Sequence, residues 1–274
     1  MSKNPELSHE PEAEMRRLSR RSFVWAGVAA ASAFGALRWL DTQDLNNGIP
    51  WPFRRALALN EKLARGYFRG YRLAPEFEGH ATSDRTNGDI GLDGDVDEAT
   101  HIIRVLGLHD MSRAVNHDDD KEAAVELTVS QIKAMPAVSM LTELKCIEGW
   151  SIFVQWKGAR LADLIAKLGP ATRSGRAPDV LNHPDDLLEF VGISTPDDAY
   201  YVGLDMAAAL HPQTLLCYEM NGAPLTPEHG APLRLVIPVK YGVKNIKRIG
   251  SIRFTSQRPK DYWAELGYDW YAGL

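Results

Sequence analysis

The sequence predicts an α+β fold, mainly β-sheet with short helices, and three observations carry that expectation. From about Phe77 onward the apolar residues fall into short or alternating runs bounded by Gly, Pro, Asn and Asp, as strands and turns do. A few segments between them have helical spacing and clear stop signals. The composition, 45% hydrophobic and 24% charged over 274 residues, is that of a soluble globular chain with one main core and an appendage.

In chain order, Ser19-Arg20-Arg21-Ser22-Phe23-Val24 stands directly before an Ala-rich apolar run that reaches Leu40. A basic flank followed by a moderate apolar stretch describes both an export signal and a membrane anchor. The pattern resembles a twin-arginine signal, which implies the twin-arginine export machinery as a partner and a periplasmic location. Ala31-Ser32-Ala33 offers a cleavage pattern, while the run from Ser22 to Leu40 is just long enough to stay as an anchor, so both fates are open. Residues 1–40 are therefore read as signal or anchor. Residues 41–76 read as a linker and surface arm, with a helical segment at Arg54–Ala64 and the aromatic stretch Gly66–Tyr71. Residues 77–274 form the main domain.

Within that domain the expected strands are Ile102–Leu106, Val125–Val129, Leu141–Cys146, Ile152–Trp156, Leu188–Ile193, Thr214–Met220, Leu233–Pro238 and Ile249–Thr255. Asn221-Gly222 reads as a tight hairpin turn. Short helices are expected at Ser130–Met135, capped by Ser130 and stopped before Pro136, at Leu161–Leu168, closed by Gly169, and at Asp205–Leu210. The acidic run His117-Asp118-Asp119-Asp120 reads as a solvated loop.

Residues 1–40 carry six Lys and Arg against four Asp and Glu, so the formal charge of −5 becomes −7 over the remainder, with 25 basic and 32 acidic residues. No nucleic-acid footprint follows from that balance. Cys146 and Cys217 are too few for a disulfide scaffold or a cysteine-rich zinc site, although one bridge between them stays open. No haem-attachment or cluster-binding cysteine set is present, so a redox role would draw electrons from another protein.

The chemistry concentrates at Lys145-Cys146-Ile147-Glu148-Gly149-Trp150-Ser151, where a strand ends in a turn that presents a thiol beside a carboxylate. Alone, such a cysteine is more often a small buried hydrophobe. Two further blocks accompany it: Met206 to Leu215, reading MAAALHPQTL, and Gly230 to Lys247, reading GAPLRLVIPVKYGVKNIK. Together, from about Arg85 to Tyr271, the order and spacing of the blocks resemble the molybdopterin-binding domain of the sulfite oxidase family. The likeness is closest to its periplasmic methionine-sulfoxide reductase branch.

The resemblance implies one molybdenum-molybdopterin, without a nucleotide, whose metal takes the thiolate of Cys146. A soft thiolate suits that ion, and the metal charge favours the deprotonated form. Cys217, in an apolar run, reads as packing. By resemblance His229 and Arg234 sit against the pterin and its phosphate, and Asn245, Ile246 and Lys247 form a loop that grips it. Lys240 and Lys244 are further basic candidates. Arg85, Asn87, Gly88 and Asp89 match an amino-terminal loop that reaches the pterin, though an Asx turn explains Asn87-Gly88 equally well.

The departures bear on the substrate. Sulfite oxidases bring arginine close after the metal-binding cysteine, whereas this chain has Glu148, Gly149 and Trp150. Glu148 matches the carboxylate near the metal in the reductase branch, where it would shuttle protons or limit anions; as a bare residue it is also a turn cap. His229 stands where that branch has an amide. The implied activity is two-electron oxygen-atom transfer with reduction of a neutral S- or N-oxide, free or peptidyl, with a membrane b-type cytochrome or another redox protein as donor. Oxidation of sulfite would need arginines from elsewhere, such as Arg85 or Arg160. A catalytically inactive exported domain, binding a partner through its cleft or the aromatic tail Tyr262–Tyr271, is the reading from another class.

Overall fold

The computed structural model describes residues 10–46, 48–81, 85–116 and 122–273. The chain divides into two units, Met1–Ala56 and Leu57–Leu274. The first holds helix α1 (Glu10–Asp41) and a two-stranded ribbon, β1 (Leu45–Asn46) with β2 (Ile49–Pro50), and helix α2 (Trp51–Tyr67) begins in it. Arg21–Asp41 is long and apolar enough to cross a membrane, with a mean hydropathy of 1.4. The side chains of Ser19 and Arg20 and the acidic run 117–120 lie outside the described residues.

The second unit carries β3 (Ile102–Leu106), β4 (Val125–Thr128), α3 (Val129–Lys133), β5 (Ala137–Lys145), β6 (Ser151–Arg160) and α4 (Leu161–Leu168). There follow β7 (Phe190–Ser194), β8 (Tyr201–Asp205), α5 (Met206–Ala209), β9 (Leu215–Met220), β10 (Ala223–Pro224) and β11 (Arg234–Val236). Last come β12 (Ser251–Thr255) and α6 (Tyr262–Glu265). This is the mixed, sheet-dominated fold with short helices that the residue pattern predicts.

The strands form two five-stranded sheets. One runs β10-β9-β6-β5, with β11 also on β9, and the other runs β4-β3-β12-β7-β8. Pairing is antiparallel except between β3 and β12. Alternation decides which faces are buried. Leu216 and Tyr218 of β9 enter one core, with Ile103, Val191, Ile252 and Leu235, while Leu215 and Cys217 enter another, with Val154, Trp156 and Val236. Cys217 is fully buried and Cys146 is a separate free thiol, so the two form no bridge.

Several expectations need correction. Helix α3 is capped by Thr128 rather than Ser130, because Thr128 Oγ1 accepts from the Gln131 amide while Gln131 Oε1 accepts from the Thr128 amide. Strands β5 and β6 are longer than expected, since they pair with each other without interruption from Ala137↔Ala159 to Lys145↔Ser151. Strand β8 was not anticipated: Gly203 sits in its middle, and glycine weakens the local strand pattern. The Asn221-Gly222 turn has φ of 55° and 81°, the left-handed pair that a tight hairpin requires.

Candidate functional site

The β5–β6 hairpin delivers Cys146. Its strands end at the Lys145↔Ser151 pair, and the link is fixed by Cys146 N–H donating to Trp150 O at 2.9 Å and Gly149 N–H to Cys146 O at 3.2 Å. Gly149 takes a φ of 86°, which most side chains avoid. Cys146 is 7% exposed and faces a cavity of about 290 Å³. Burial first, and then the Glu148 carboxylate, push its thiol above the ordinary range, against hydrogen bonds from the Glu148 and Ile147 amides. Glu148 is exposed, and its Oε2 accepts from the Trp150 indole at 3.0 Å.

Four distant segments complete the cavity: Asn87, Gly88, Asp89 and Ile90; Tyr200; Gly242, Val243, Asn245 and Lys247; and Trp263 with Tyr268. Their convergence is close. A Cβ on Gly242 would stand 3.2 Å from Lys145 O and 3.6 Å from Asn87 Nδ2. Lys247 Nζ donates to Asn87 O at 2.7 Å and Gly88 O at 2.8 Å, so it ties the amino-terminal loop to its own. An ammonium has a third N–H, which leaves one donor for an anion. Burial, then the Arg234 charge, lowers Lys247 to about 8.

Asn245 is held by its own amide: Oδ1 accepts from Ile237 N–H at 2.8 Å, and Nδ2 donates to Tyr241 O at 3.2 Å. Tyr200 donates to Val243 O at 2.6 Å, and burial pushes its phenol well up. The lining thus combines one thiol, two carboxylates (Asp89 and Glu148), one amine and an aromatic wall. Larger depressions of about 760 and 600 Å³ lie elsewhere, but neither is lined by a cysteine. The chemistry, rather than the volume, picks out the smaller cavity.

Of the residues expected from sequence, Asn87, Gly88, Asp89, Cys146, Glu148, Asn245 and Lys247 share this cavity. Seven others lie outside its lining. Arg234 is wholly buried, donates to His229 O at 3.0 Å and Asn245 O at 3.2 Å, and lies 4.8 Å from the Trp156 ring centroid. Through these two bonds the guanidinium supports the loop. His229 Nδ1 shares a hydrogen bond with Thr226 Oγ1, and the Ile246 side chain belongs to the core. Arg85 stacks over the Trp150 ring at 4.2 Å. Arg160 donates to Pro212 O, while Lys240 and Lys244 are buried on backbone carbonyls. Ile90, Tyr200, Val243 and Tyr268 were not anticipated as lining. Trp263 and Tyr268 belong to the aromatic tail Tyr262–Tyr271.

Residues 108–263 match the family model described as the oxidoreductase molybdopterin binding domain. The chain belongs to this family. A protein of Azospira oryzae named as putative protein-methionine-sulfoxide reductase subunit YedZ1 is 33% identical over 179 residues, covering 65% of this chain and 58% of that protein. The protein-methionine-sulfoxide reductase catalytic subunit MsrP of Xanthomonas campestris pv. campestris is 32% identical over 200 residues, 72% of this chain and 61% of its own length. The MsrP of Campylobacter jejuni is 36% identical over 161 residues, 56% and 53% respectively. The chain thus spans between half and two thirds of the length of these relatives. The sulfane dehydrogenase SoxCD of Paracoccus pantotrophus aligns at a TM-score of 0.46 and 15% identity, over 60% of this chain and 40% of its own.

The cofactor of this family is a molybdenum-molybdopterin, and the cavity suits it. A thiol, a lysine with a donor to spare and two glycine-bearing loops whose backbones approach one another are the groups that a thiolate-bound metal with an anionic pterin needs.

Proposed function

We propose that the chain is an exported molybdopterin enzyme that reduces a neutral S- or N-oxide of the methionine sulfoxide class, free or peptidyl. Cys146 would hold the metal, while Lys247, Asn245 and the Asn87–Asp89 loop would hold the pterin and its phosphate. When bound, the group supplies two-electron oxygen-atom exchange. The residues of this chain bind, orient and protonate. Glu148, whose carboxylate accepts from the Trp150 indole, would supply a proton to the oxygen lost by the substrate. Trp263, Tyr268 and Tyr200 offer aromatic surface to a thioether or sulfoxide side chain.

The observation that carries the choice of a neutral substrate is the charge of the lining, where two carboxylates stand against one amine and no arginine is among the lining residues. With Lys247 taken up by the cofactor's phosphate, the two carboxylates that are left would repel a dianion such as sulfite, while a neutral oxide meets no such field. The two arginines that an anion site would need, Arg85 and Arg160, are held at Trp150 and Pro212. The Arg20-Arg21 motif and the apolar helix Arg21–Asp41 support export by the twin-arginine route, with the helix either removed or kept as an anchor. Electrons would come from a membrane b-type cytochrome or another redox protein. The test compares turnover of methionine sulfoxide with a reduced dye against sulfite-dependent reduction of an acceptor. Fast turnover of the oxide and slow oxidation of sulfite are expected; the reverse order would refute the reading.

A further inference from the structure

We propose that the buried Lys244–Asp261 ion pair is a positioning device that locks the aromatic wall, Trp263 with Tyr268, to the Gly242–Lys247 loop across the cleft. That this matters for turnover rests on reading the Cys146 cleft as the reaction site. Lys244 Nζ and Asp261 Oδ2 are 2.5 Å apart, with side chains 1% and 3% exposed. Two ions so fully removed from water need further partners to offset their lost hydration.

Here both find them on one residue. Asp261 Oδ2 accepts from Gly203 N–H at 3.1 Å, and Lys244 donates to Gly203 O at 2.9 Å, so the middle of β8 is clamped between the two charges. Gly203 itself admits no side chain, since a Cβ would come 2.5 Å from the Trp270 ring and 2.9 Å from Pro259 Cγ. Lys244 also lies 4.6 Å from the centroid of that Trp270 ring.

Each ion reaches a different wall of the cleft. Lys244 follows Val243, a lining residue, and precedes Asn245, another. Asp261 Oδ1 accepts from Ala264 N–H at 3.1 Å and so fixes the turn that carries Trp263, whose ring packs on Tyr268 at 5.2 Å. A buried pair is weak support for stability, because apolar groups of similar size often replace it without loss. What it does secure is a single geometry, here the separation of the aromatic wall from the loop.

The test incorporates 5-fluorotryptophan, assigns the Trp263 signal with Trp263→Phe, and compares wild type with Asp261→Asn and the double variant Lys244→Met with Asp261→Leu. Thermal midpoint, molybdenum per chain, KM and kcat are read beside the fluorine spectrum. For the double variant we expect a midpoint near wild type and retained molybdenum. Its Trp263 resonance should move toward the solvent-exposed position, with KM for a peptidyl sulfoxide raised about ten-fold and kcat within about two-fold. A double variant with a wild-type resonance and KM would overturn the proposal, as would signal changes that only track lost stability in Asp261→Asn. If wild type turns over no oxide, the functional reading fails alone, because the fluorine signal still decides the positioning role.

Discussion

Lys247 shows how one side chain can serve structure and ligand at once. Its ammonium joins two loops through the Asn87 and Gly88 carbonyls, in a setting that lowers it from 10.5 to about 8. Between those values the unfolded chain holds a proton that the folded chain has released. Stability from this residue therefore rises with pH from about 8 to 10.5, and is flat below about 8, where both forms are protonated. Lys240, lowered by burial to about 7, contributes with the same sign from about 7 upward. Urea midpoints should rise between about pH 7 and 9, above which the raised Cys217 and Cys146 thiols pull the other way, and Lys247→Met should remove the part that begins near 8. The affinity for an anionic cofactor runs the other way, since only the charged amine attracts a phosphate. Apo protein should thus take up cofactor less well as pH climbs past about 8.

At the scale of elements, the hairpin β5–β6 decides where the thiol stands, and its fit against β9 depends on Gly158. The register shifts between Lys157 and Gly158, and a Cβ at Gly158 would run into the Leu216 carbonyl and come 2.7 Å from Cys217 Cα. Gly158→Ala should lower stability by about 1–3 kcal/mol, read as a lower urea midpoint with an unchanged slope. An unaltered midpoint would mean that the bulge relaxes freely. These elements were largely legible from sequence, because the short apolar or alternating runs of β3, β4, β6 and β9 and the Gly169 stop of α4 are local signals. β8 was not, since Gly203 answers to Trp270 and Pro259, which are far along the chain. The site divides in the same way. Cys146 and Glu148 share one turn and could be read together, but the cleft wall of Tyr200, Trp263 and Tyr268 is assembled only by folding. The setting of Arg234 was not legible for a related reason: its position in the block does not reveal that its guanidinium donates to two backbone carbonyls.

For the whole molecule, a candidate membrane-crossing helix precedes a unit in which two sheets bring four separate stretches around one thiol. Cys217 is fully buried in the second core, with Lys157 O and Glu219 O both within reach of its single S–H, and nothing in that setting calls for a metal. The central claim is that Cys146 anchors a single molybdopterin. Its most direct test is molybdenum content together with oxidised-pterin fluorescence, on protein matured in a cofactor-producing host, for wild type, Cys146→Ala and Cys217→Ala. The account predicts about one molybdenum per chain in wild type and Cys217→Ala, and a folded Cys146→Ala with little metal and no turnover. Folded wild type carrying neither molybdenum nor pterin, or equal metal in wild type and Cys146→Ala, would contradict it.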